Sequence, residues 1–359
     1  GRLLILAGAN TEAEPLYRDL LTRAENAGCR GLVREGLDGI GAALVQQSRR
    51  DEAIPFYRSS LVEADILGDV HNQCRMLINL AYNLANRTDN SEPRRLLDDA
   101  EARLLACGNT YLLGHVDGTR AVCSEGEVNR PQAIELFQSA ADQHAAVGNR
   151  SGELGARQRM AFNLSMQGRF LEARANYETC LRLMEGEESN WIANWVLWGL
   201  ANVHRNLGDL DTALIYYDRA LAVSRGLGSR MTVAGVLSDT GLVHARLGRY
   251  RQAIVRHHEA LDIMLELGAT REAARIKARI GDAYFQLGDL NEALDHYQQS
   301  YEITSTLDSR LNLSDAVGGL AAIHGQAGNH GQAAAGFREA LEIARALDDQ
   351  EAVVWALLG

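Results

Sequence analysis

The sequence repeats itself every 40 residues without insertion or deletion. The segment LGDLDTALIYYDRAL at 207–221 is followed at this spacing by LGRYRQAIVRHHEAL at 247–261, LGDLNEALDHYQQSY at 287–301 and AGNHGQAAAGFREAL at 327–341. One period earlier the chain reads QGRFLEARANYETCL at 167–181. A fixed period of this length predicts an array of similar supersecondary units, in which each unit buries its apolar face against its neighbours.

Three positions of the repeat keep one kind of residue in phase along the chain. The first is alanine in eight of nine members, the second lies four residues later and is mostly aromatic, and the third lies twelve residues earlier and holds only glycine or alanine. Small residues at facing positions let two helices approach to about 8 Å, and a ring one turn further on can fill the space beside the next unit. The alanine position comprises Ala13, Ala53, Pro93, Ala133, Ala173, Ala213, Ala253, Ala293 and Ala333.

Each unit is predicted to fold as two helices. The first helix ends near a glycine such as Gly208 or Gly288, because glycine adopts the left-handed conformation that terminates a helix. The next position is often Asp or Asn, with Glu or Gln three residues later, which is the spacing of a capping box. Thr88 and Val128 replace the turn glycine in units 74–113 and 114–153, so we expect those units to pack less regularly.

These positions resemble the motif of the tetratricopeptide repeat. Ala201, Gly208, Ala213, Tyr217 and Ala220 match, in order, the small residue, turn glycine, alanine, aromatic residue and second alanine of that family. The usual unit has about 34 residues, and the longer unit found here is similar to arrays in MalT-type and SARP-type bacterial regulators of the STAND ATPase class and in the Pins-type spindle scaffold. The resemblance covers the whole chain. It implies an all-α fold, a right-handed superhelical solenoid of antiparallel helix pairs.

The repeat register predicts the organisation of the chain. A single array occupies residues 1–359, with a partial repeat over 1–33, eight 40-residue repeats over 34–353 and the start of a further helix over 354–359. Natural arrays normally finish with a polar capping helix. Because the chain begins and ends inside predicted helices, we expect it to be a segment of a longer protein.

Composition argues against several classes of function. The formal net charge is −11, whereas a nucleic-acid binder needs a basic surface to neutralise phosphates. No run approaches the roughly 18 apolar residues of a membrane span. The five cysteines form no C-x-x-C pair, which favours reduced thiols in the cytoplasm. Lys277 is the only lysine among 36 basic residues, a bias typical of GC-rich bacterial genomes.

No motif in the sequence predicts catalysis, a cofactor or a metal site. His204, His244 and His324 share one position of the repeat, which Tyr284 also occupies, so packing explains them better than metal ligation. The segment GIGAAL at 39–44 lies inside a predicted helix with no strand before it, and a nucleotide-binding loop requires that strand. No set of acid, base and nucleophile is evident. We therefore expect no enzymatic activity, no cofactor and no metal.

The segment WIANWVLW at 191–198 holds three of the four tryptophans. In the family that the chain resembles, first helices line the concave face, and this implies that Trp195 and Trp198 face the groove with Trp191 one turn earlier on the same stripe. Packing against the adjacent first helix is the alternative to ligand contact, and both can hold. The candidate partner-binding residues on the concave face are Trp191, Trp195, Trp198, Asn202, Arg205, Arg159, Phe162, Asp239, Arg246, Arg275, Arg279 and Asp282.

The resemblance and the absence of catalytic motifs together predict recognition. The implied function is binding of a protein, a peptide or a small effector by the concave face, as the sensor region of a bacterial STAND-type or SARP-type signalling and transcription regulator. The alternative is a stand-alone scaffold or peptide receptor that assembles a protein complex. In neither case do we expect this segment to contact nucleic acid or a membrane directly.

Overall fold

The computed structural model describes residues 10–85, 89–184, 186, 190–306 and 310–346. Seventeen α-helices and no strands occur within these ranges, which confirms the expected all-α fold of helix pairs. The predicted helix in 354–359 and the first nine residues lie outside them. The helices are α1 (Asn10–Asn26), α2 (Arg30–Gln46), α3 (Arg50–Leu67), α4 (Val70–Leu84), α5 (Ser91–Ala106), α6 (Leu113–Gly126), α7 (Arg130–Ala146), α8 (Arg150–Met166), α9 (Phe170–Met184), α10 (Trp191–Asn206), α11 (Leu210–Gly226), α12 (Arg230–Arg246), α13 (Tyr250–Glu266), α14 (Thr270–Leu287), α15 (Leu290–Thr306), α16 (Arg310–Gln326) and α17 (His330–Ala346).

Short turns with a left-handed residue connect the two helices of a pair. Gly208 ends the first helix of its pair with φ 83°, and the Asp209 side chain then accepts a hydrogen bond of 3.3 Å from the amide of Thr212, as a helix cap. Val128 adopts φ 59° at the position where other units have glycine. The amide of Asn129 donates to the carbonyl oxygen of Ser124 (2.8 Å) and closes this turn. The turn at Val128 therefore keeps the left-handed form without glycine, while Thr88 lies outside the described residues.

The chain divides into two compact units, residues 1–183 and 184–359, which we call the N-terminal unit and the C-terminal unit. The described part of the C-terminal unit consists of four successive helix pairs, from α10 with α11 to α16 with α17. The N-terminal unit begins with α1 and continues with four pairs, from α2 with α3 to α8 with α9. The repeat boundaries given above remain predictions from the sequence.

The repeated small and aromatic positions form the cores of both units. Ala213, Ala293, Tyr217 and Tyr297 are all buried. A Cβ atom added to Gly281 would lie 2.9 Å from the Tyr297 ring, and one added to Gly319, in the next pair, would lie 2.2 Å from it. The ring thus packs against small residues of its own pair and of the following pair, which confirms the packing role predicted for these positions.

We predict that Ala213→Leu or Ala293→Leu lowers the free energy of unfolding by about 1–3 kcal/mol, because the added atoms have no space at a fully buried helix contact. Urea denaturation followed by circular dichroism measures the effect. Ala222→Leu is the matched control, since Ala222 lies on the exposed side of α11, the helix that carries Ala213. Equal stabilities for Ala213→Leu and Ala222→Leu would contradict the packing argument.

Candidate recognition site

Tryptophan side chains lie on the surface of α10. The helix begins at Trp191, and its cap residue Asn190 accepts a hydrogen bond of 2.9 Å from the amide of Ala193. Trp191 is 62% exposed and Trp195 is 44% exposed, whereas Trp198 is half-buried. Two of the three indoles therefore reach solvent, and the core side of α10 is formed by other residues, among them Leu197, Leu200 and Ala201.

The Trp198 indole is held in one position by α12. Its Nε1 donates a hydrogen bond of 2.9 Å to Oδ2 of Asp239. The far edge of the ring covers Gly235, where an added Cβ would lie 2.5 Å from the indole. Trp195 stacks on Trp198 with ring centroids 5.3 Å apart and an interplanar angle of 11°. Trp198 thus packs against the adjacent first helix, as one of the two interpretations predicts. It also supports the exposed Trp195, for which ligand contact stays a prediction.

Asp239 links three successive first helices. It lies on α12 and accepts from Trp198 on α10. Its Oδ1 lies 3.6 Å from Nη1 of Arg205 on α10 and 3.6 Å from Nη1 of Arg279 on α14. Arg279 Nη1 also donates to Ser238 Oγ at 2.7 Å. The surface formed by these residues, together with Trp191, Trp195, Asn202, Arg246, Arg275 and Asp282, is called the first-helix face below.

Polar contacts to a core tyrosine position two residues of the first-helix face. The buried Tyr217 hydroxyl donates to Asn202 Oδ1 at 2.8 Å and accepts from Arg205 Nη1 at 3.3 Å. Arg246 Nη1 donates in turn to the main-chain oxygen of Arg205, at 3.5 Å. Asn202 and Arg205 are therefore fixed relative to the core of the unit.

Charged side chains of both signs lie around Arg279. Burial lowers the pKa of the Arg279 guanidinium, and the neighbouring charges of Arg275 and Arg205 lower it further, while Asp239 and Asp315 have the opposite effect. Arg275 is half-buried and has no hydrogen-bond or ion-pair partner among the described residues. The guanidinium groups of Arg205 and Arg279 share the negative charge of Asp239.

Asp282 is a second acidic group of the first-helix face. Its Oδ1 accepts a hydrogen bond of 2.7 Å from the Tyr297 hydroxyl. The surrounding protein atoms raise the pKa of the carboxyl to about 6, against the opposite effects of Tyr297 and Arg279. Since the residue is nevertheless exposed to solvent, water limits this desolvation, and the carboxylate is mostly ionised at neutral pH.

Two of the predicted site residues, Arg159 and Phe162, lie on α8 of the N-terminal unit. Arg159 pairs with the carboxylate of Glu125 on α6, and its guanidinium carbon lies 5.3 Å from the ring centroid of Phe137. Phe162 is 47% exposed. Arg159 is thus already engaged within its own unit, and a ligand role for either residue stays a prediction.

A cleft of about 620 Å³ on the N-terminal unit was not among the predicted sites. Arg75 and Asp38 line it and form an ion pair of 2.5 Å, and His115 lies at its edge with a pKa that burial lowers. The sequence contains a signal for this cleft, because Arg75 and His115 occupy the same position of the repeat as Trp195. The lining residues are Tyr17, Asp38, Gly39, Ala42, His71, Arg75, Ile78, Asn79, Tyr111, Leu112, His115 and Asn149.

Neither a metal cluster nor a membrane-spanning helix occurs in the described part of the chain. No group of three or more His, Cys, Asp or Glu side chains is arranged there to hold a metal ion. No helix within the same ranges is long and apolar enough to cross a bilayer. The five cysteines are free thiols, and burial raises the pKa of Cys74, Cys123 and Cys180.

A stack of helix pairs with aromatic and charged side chains on its first helices defines a helical repeat protein of the protein-interaction class. The overlapping segments 192–266, 232–306 and 271–346 match the family model described as tetratricopeptide repeat. Residues 192–346 therefore carry tetratricopeptide repeats. No curated protein matches the sequence.

Solved structures with the same fold include sensors and Rap proteins. A signal transduction ATPase with numerous domains (STAND) from Pyrococcus horikoshii, which has a tetratricopeptide repeat sensor, matches at 14% identity and TM-score 0.69 over 99% of this chain and 52% of that chain. The apo form of RapI matches at 11% identity and TM-score 0.68, over 90% and 96% of the two chains. A Rap protein in complex with competence and sporulation factor matches at 14% identity and TM-score 0.58, over 90% and 95%. This chain thus spans about half the length of the STAND protein, and identities this low show the fold alone.

Proposed function

We propose that the first-helix face of the C-terminal unit binds a protein or peptide segment of a signalling partner. The observation that carries this proposal is the exposed pair Trp191 and Trp195 beside Trp198, which α12 holds in place. Tryptophan and arginine are the residues most enriched among those that dominate binding energies, and fixed side chains lose little entropy when a partner binds. A partner that covers these indoles would remove a large apolar surface from water.

The proposed context is the sensor region of a bacterial, cytoplasmic STAND-type or SARP-type regulator. The likeness to a STAND protein with a tetratricopeptide repeat sensor and to a Rap protein bound to a signalling factor supports this context. The alternative is a stand-alone scaffold or peptide receptor, in which the same face would bind the partner. The gene upstream of Gly1 distinguishes them, because a regulator is expected to encode a P-loop ATPase there and a scaffold is not.

The tryptophan pair provides the direct test. Peptides selected from a random display library on the wild-type chain serve as probes, and calorimetry gives their dissociation constants. We predict that Trp195→Ala combined with Trp198→Ala weakens binding by about 100-fold or more, because the two indoles together are expected to contribute at least about 3 kcal/mol. Circular dichroism should show unchanged helicity, since Trp195 is exposed and Trp198 is half-buried.

Ile215→Ala is the matched control for the double variant. Ile215 is 60% exposed, but it lies on α11, a second helix, away from the first-helix face. Its loss removes exposed apolar surface without touching the tryptophans, so peptide affinity should remain within about twofold of the wild type. A folded double variant with wild-type affinity would exclude the tryptophans as the recognition surface.

A further inference from the structure

The cleft of about 620 Å³, which we call the N-terminal cleft, belongs entirely to the N-terminal unit. Its lining comes from α1, α2, α4, the connection between α5 and α6, α6 itself and the residue that caps α8. A second hollow of about 310 Å³ shares Asp38 and Arg75 with it. Small-molecule sites in proteins usually have volumes of roughly 300–1,000 Å³. The N-terminal cleft is therefore large enough for a small organic molecule.

The charges around the N-terminal cleft compensate each other. Arg75 and Asp38 are both half-buried and form the ion pair of 2.5 Å at its floor. Carboxylates are at least as numerous as guanidinium groups in the surroundings of this pair. The charged and titratable side chains there, besides His115, are Arg34, Glu35, Asp38, Asp69, His71 and Arg75. The cleft therefore has no excess of positive charge that would attract an anion.

Two side chains of the N-terminal cleft form no hydrogen bond within the described ranges. The side-chain amide of Asn79 forms none, whereas the main-chain oxygen of this residue accepts one of 2.8 Å from Asn83. The Tyr111 hydroxyl also forms none, and the ring is 49% exposed. The Tyr111 amide donates to Asn109 Oδ1 at 3.0 Å and fixes the main chain at this point. The cleft thus presents a carboxamide, which is both donor and acceptor, and an open aromatic ring.

The rest of the lining is largely apolar or uncharged. Ile78 and Leu112 are buried side chains of the cleft wall. The His115 ring contacts the edge of the His144 ring, with centroids 4.5 Å apart. Burial lowers the pKa of His115, so this imidazole is mostly uncharged at neutral pH. Such a lining favours van der Waals and stacking contacts with a flat ring.

We propose that the N-terminal cleft binds a small uncharged molecule with a planar heteroaromatic ring, whose edge carries a hydrogen-bond donor next to an acceptor. The Asn79 carboxamide pairs with that edge through two hydrogen bonds, as asparagine does with adenine. The ring stacks on Tyr111, a contact that every flat base can make. The Arg75–Asp38 pair offers a donor and an acceptor to hydroxyl groups attached to the ring. Nucleosides such as adenosine and cytidine have this chemistry. The site is separate from the first-helix face and goes beyond the function proposed for it.

The compensated charge distinguishes an uncharged ligand from an anion. A phosphate or carboxylate group is bound most strongly by guanidinium groups, and Arg75 is already paired with Asp38. The carboxylates of Glu35, Asp38 and Asp69 would also repel a further negative charge. A nucleoside should therefore bind more tightly than the corresponding nucleotide.

Ligand-observed NMR and calorimetry on the whole chain measure the affinities of the probes. Adenosine and cytidine are expected to saturate the protein below about 10 mM, and adenosine 5′-monophosphate should bind more weakly than adenosine. Purine riboside is adenosine without the amino group. It should bind at least about fivefold more weakly than adenosine, because it lacks the donor that pairs with Asn79.

Substitutions at the two unpartnered side chains test the contacts separately. Tyr111→Ala should weaken adenosine binding at least about fivefold, while Tyr111→Phe keeps the ring and should stay within about twofold of the wild type. Tyr301→Ala is the matched control, because Tyr301 is 39% exposed but lies on α15 of the C-terminal unit. Asn79→Leu should weaken adenosine binding and abolish the difference between adenosine and purine riboside, a change that a purely structural role for Asn79 would not produce.

Several results would overturn the proposal. Wild-type affinity for adenosine in a folded Tyr111→Ala or Asn79→Leu variant would exclude the site, and each variant suffices if the other does not fold. Absence of saturable binding for both nucleosides would exclude the ligand class. Tighter binding of adenosine 5′-monophosphate than of adenosine would indicate an anion site instead. The Trp195→Ala, Trp198→Ala variant should bind adenosine as the wild type does, so loss of peptide binding and loss of nucleoside binding are distinguishable.

Discussion

Replacement of Tyr217 by alanine is expected to lower the free energy of unfolding by about 3–5 kcal/mol. Tyr217 is fully buried in the C-terminal unit, so its loss leaves a cavity between helix pairs that a stacked array closes only in part. The change also removes the hydroxyl that contacts Asn202 and Arg205. Urea denaturation followed by circular dichroism measures the stability, and peptide calorimetry measures the recognition function in the same samples.

Tyr217→Phe separates packing from positioning. The ring stays in the core, and only the hydrogen bonds to Asn202 and from Arg205 are lost, for an expected cost of about 0.5–1.5 kcal/mol. Affinity for the library-selected peptides should nevertheless fall, because the hydroxyl no longer holds Asn202 and Arg205 in place. Equal stability losses in Tyr217→Ala and Tyr217→Phe would show that the hydroxyl, and not ring packing, dominates.

The sequence predicts the helix pairs and their buried positions from periodicity, and the family resemblance adds that the tryptophan stripe faces the groove. The alanine and aromatic positions recur in phase, so burial of Ala213 and Tyr217 follows from the same pattern that predicts burial of Ala293 and Tyr297. Exposure of Trp195 follows from its position between the buried side chains of α10. These predictions succeed because a helical repeat requires each neighbour to satisfy the same packing geometry.

The charge network of the first-helix face could not be predicted in this way. Trp198 and Asp239 lie 41 residues apart, one more than the repeat, and so do Ser238 and Arg279. The carboxylate that an arginine approaches depends on the arginine rotamer and on the acidic side chains of the adjacent helix pair. The 40-residue period does not determine either of these. The sequence therefore identified Arg205, Asp239 and Arg279 as neighbours of the groove without their mutual contacts.

The expectation that the left-handed turn residue is glycine fails at Val128. The left-handed turn was predicted from glycine, yet Val128 adopts φ 59°. A β-branched residue in this conformation is unfavourable in isolation. The hydrogen bond from Asn129 to Ser124 and the docking of α6 against α7 impose the turn all the same. Tertiary packing, and not local preference, decides the conformation at this position.

Acid is expected to destabilise the protein through a buried histidine. His257 occupies the aromatic position of its repeat, is 1% exposed and has no hydrogen-bond partner for Nδ1 among the described residues. Burial lowers its pKa to about 3, and the positive charges of Arg279, His258, Arg275 and His244 act in the same direction. The unfolded chain, with a histidine pKa of about 6.5, binds the proton more tightly than the folded chain does. The stability contribution is therefore complete above pH 6.5 and is lost as the pH falls towards 3.

His257→Tyr should remove this part of the acid sensitivity. The loss expected from His257 between pH 8 and pH 5 is about 2 kcal/mol. Tyrosine fits the position, because Tyr297 packs on Gly281 as His257 packs on Gly241. Urea midpoints at the two pH values should therefore differ less for the variant than for the wild type. Other histidines and the carboxylates contribute equally to both proteins, so the difference between the two isolates His257.

His258→Gln is the control for this prediction, because His258 is a partly exposed neighbour on the same helix. Its removal takes away a histidine without changing the buried position, so most of the acid sensitivity should remain. If His257→Tyr and the wild type lose the same stability between pH 8 and pH 5, the proton must enter the folded state at His257 without cost. That result would mean that water or a rearranged carboxylate reaches Nδ1. The core of this repeat would then have to open, although His257 packs tightly against Gly241.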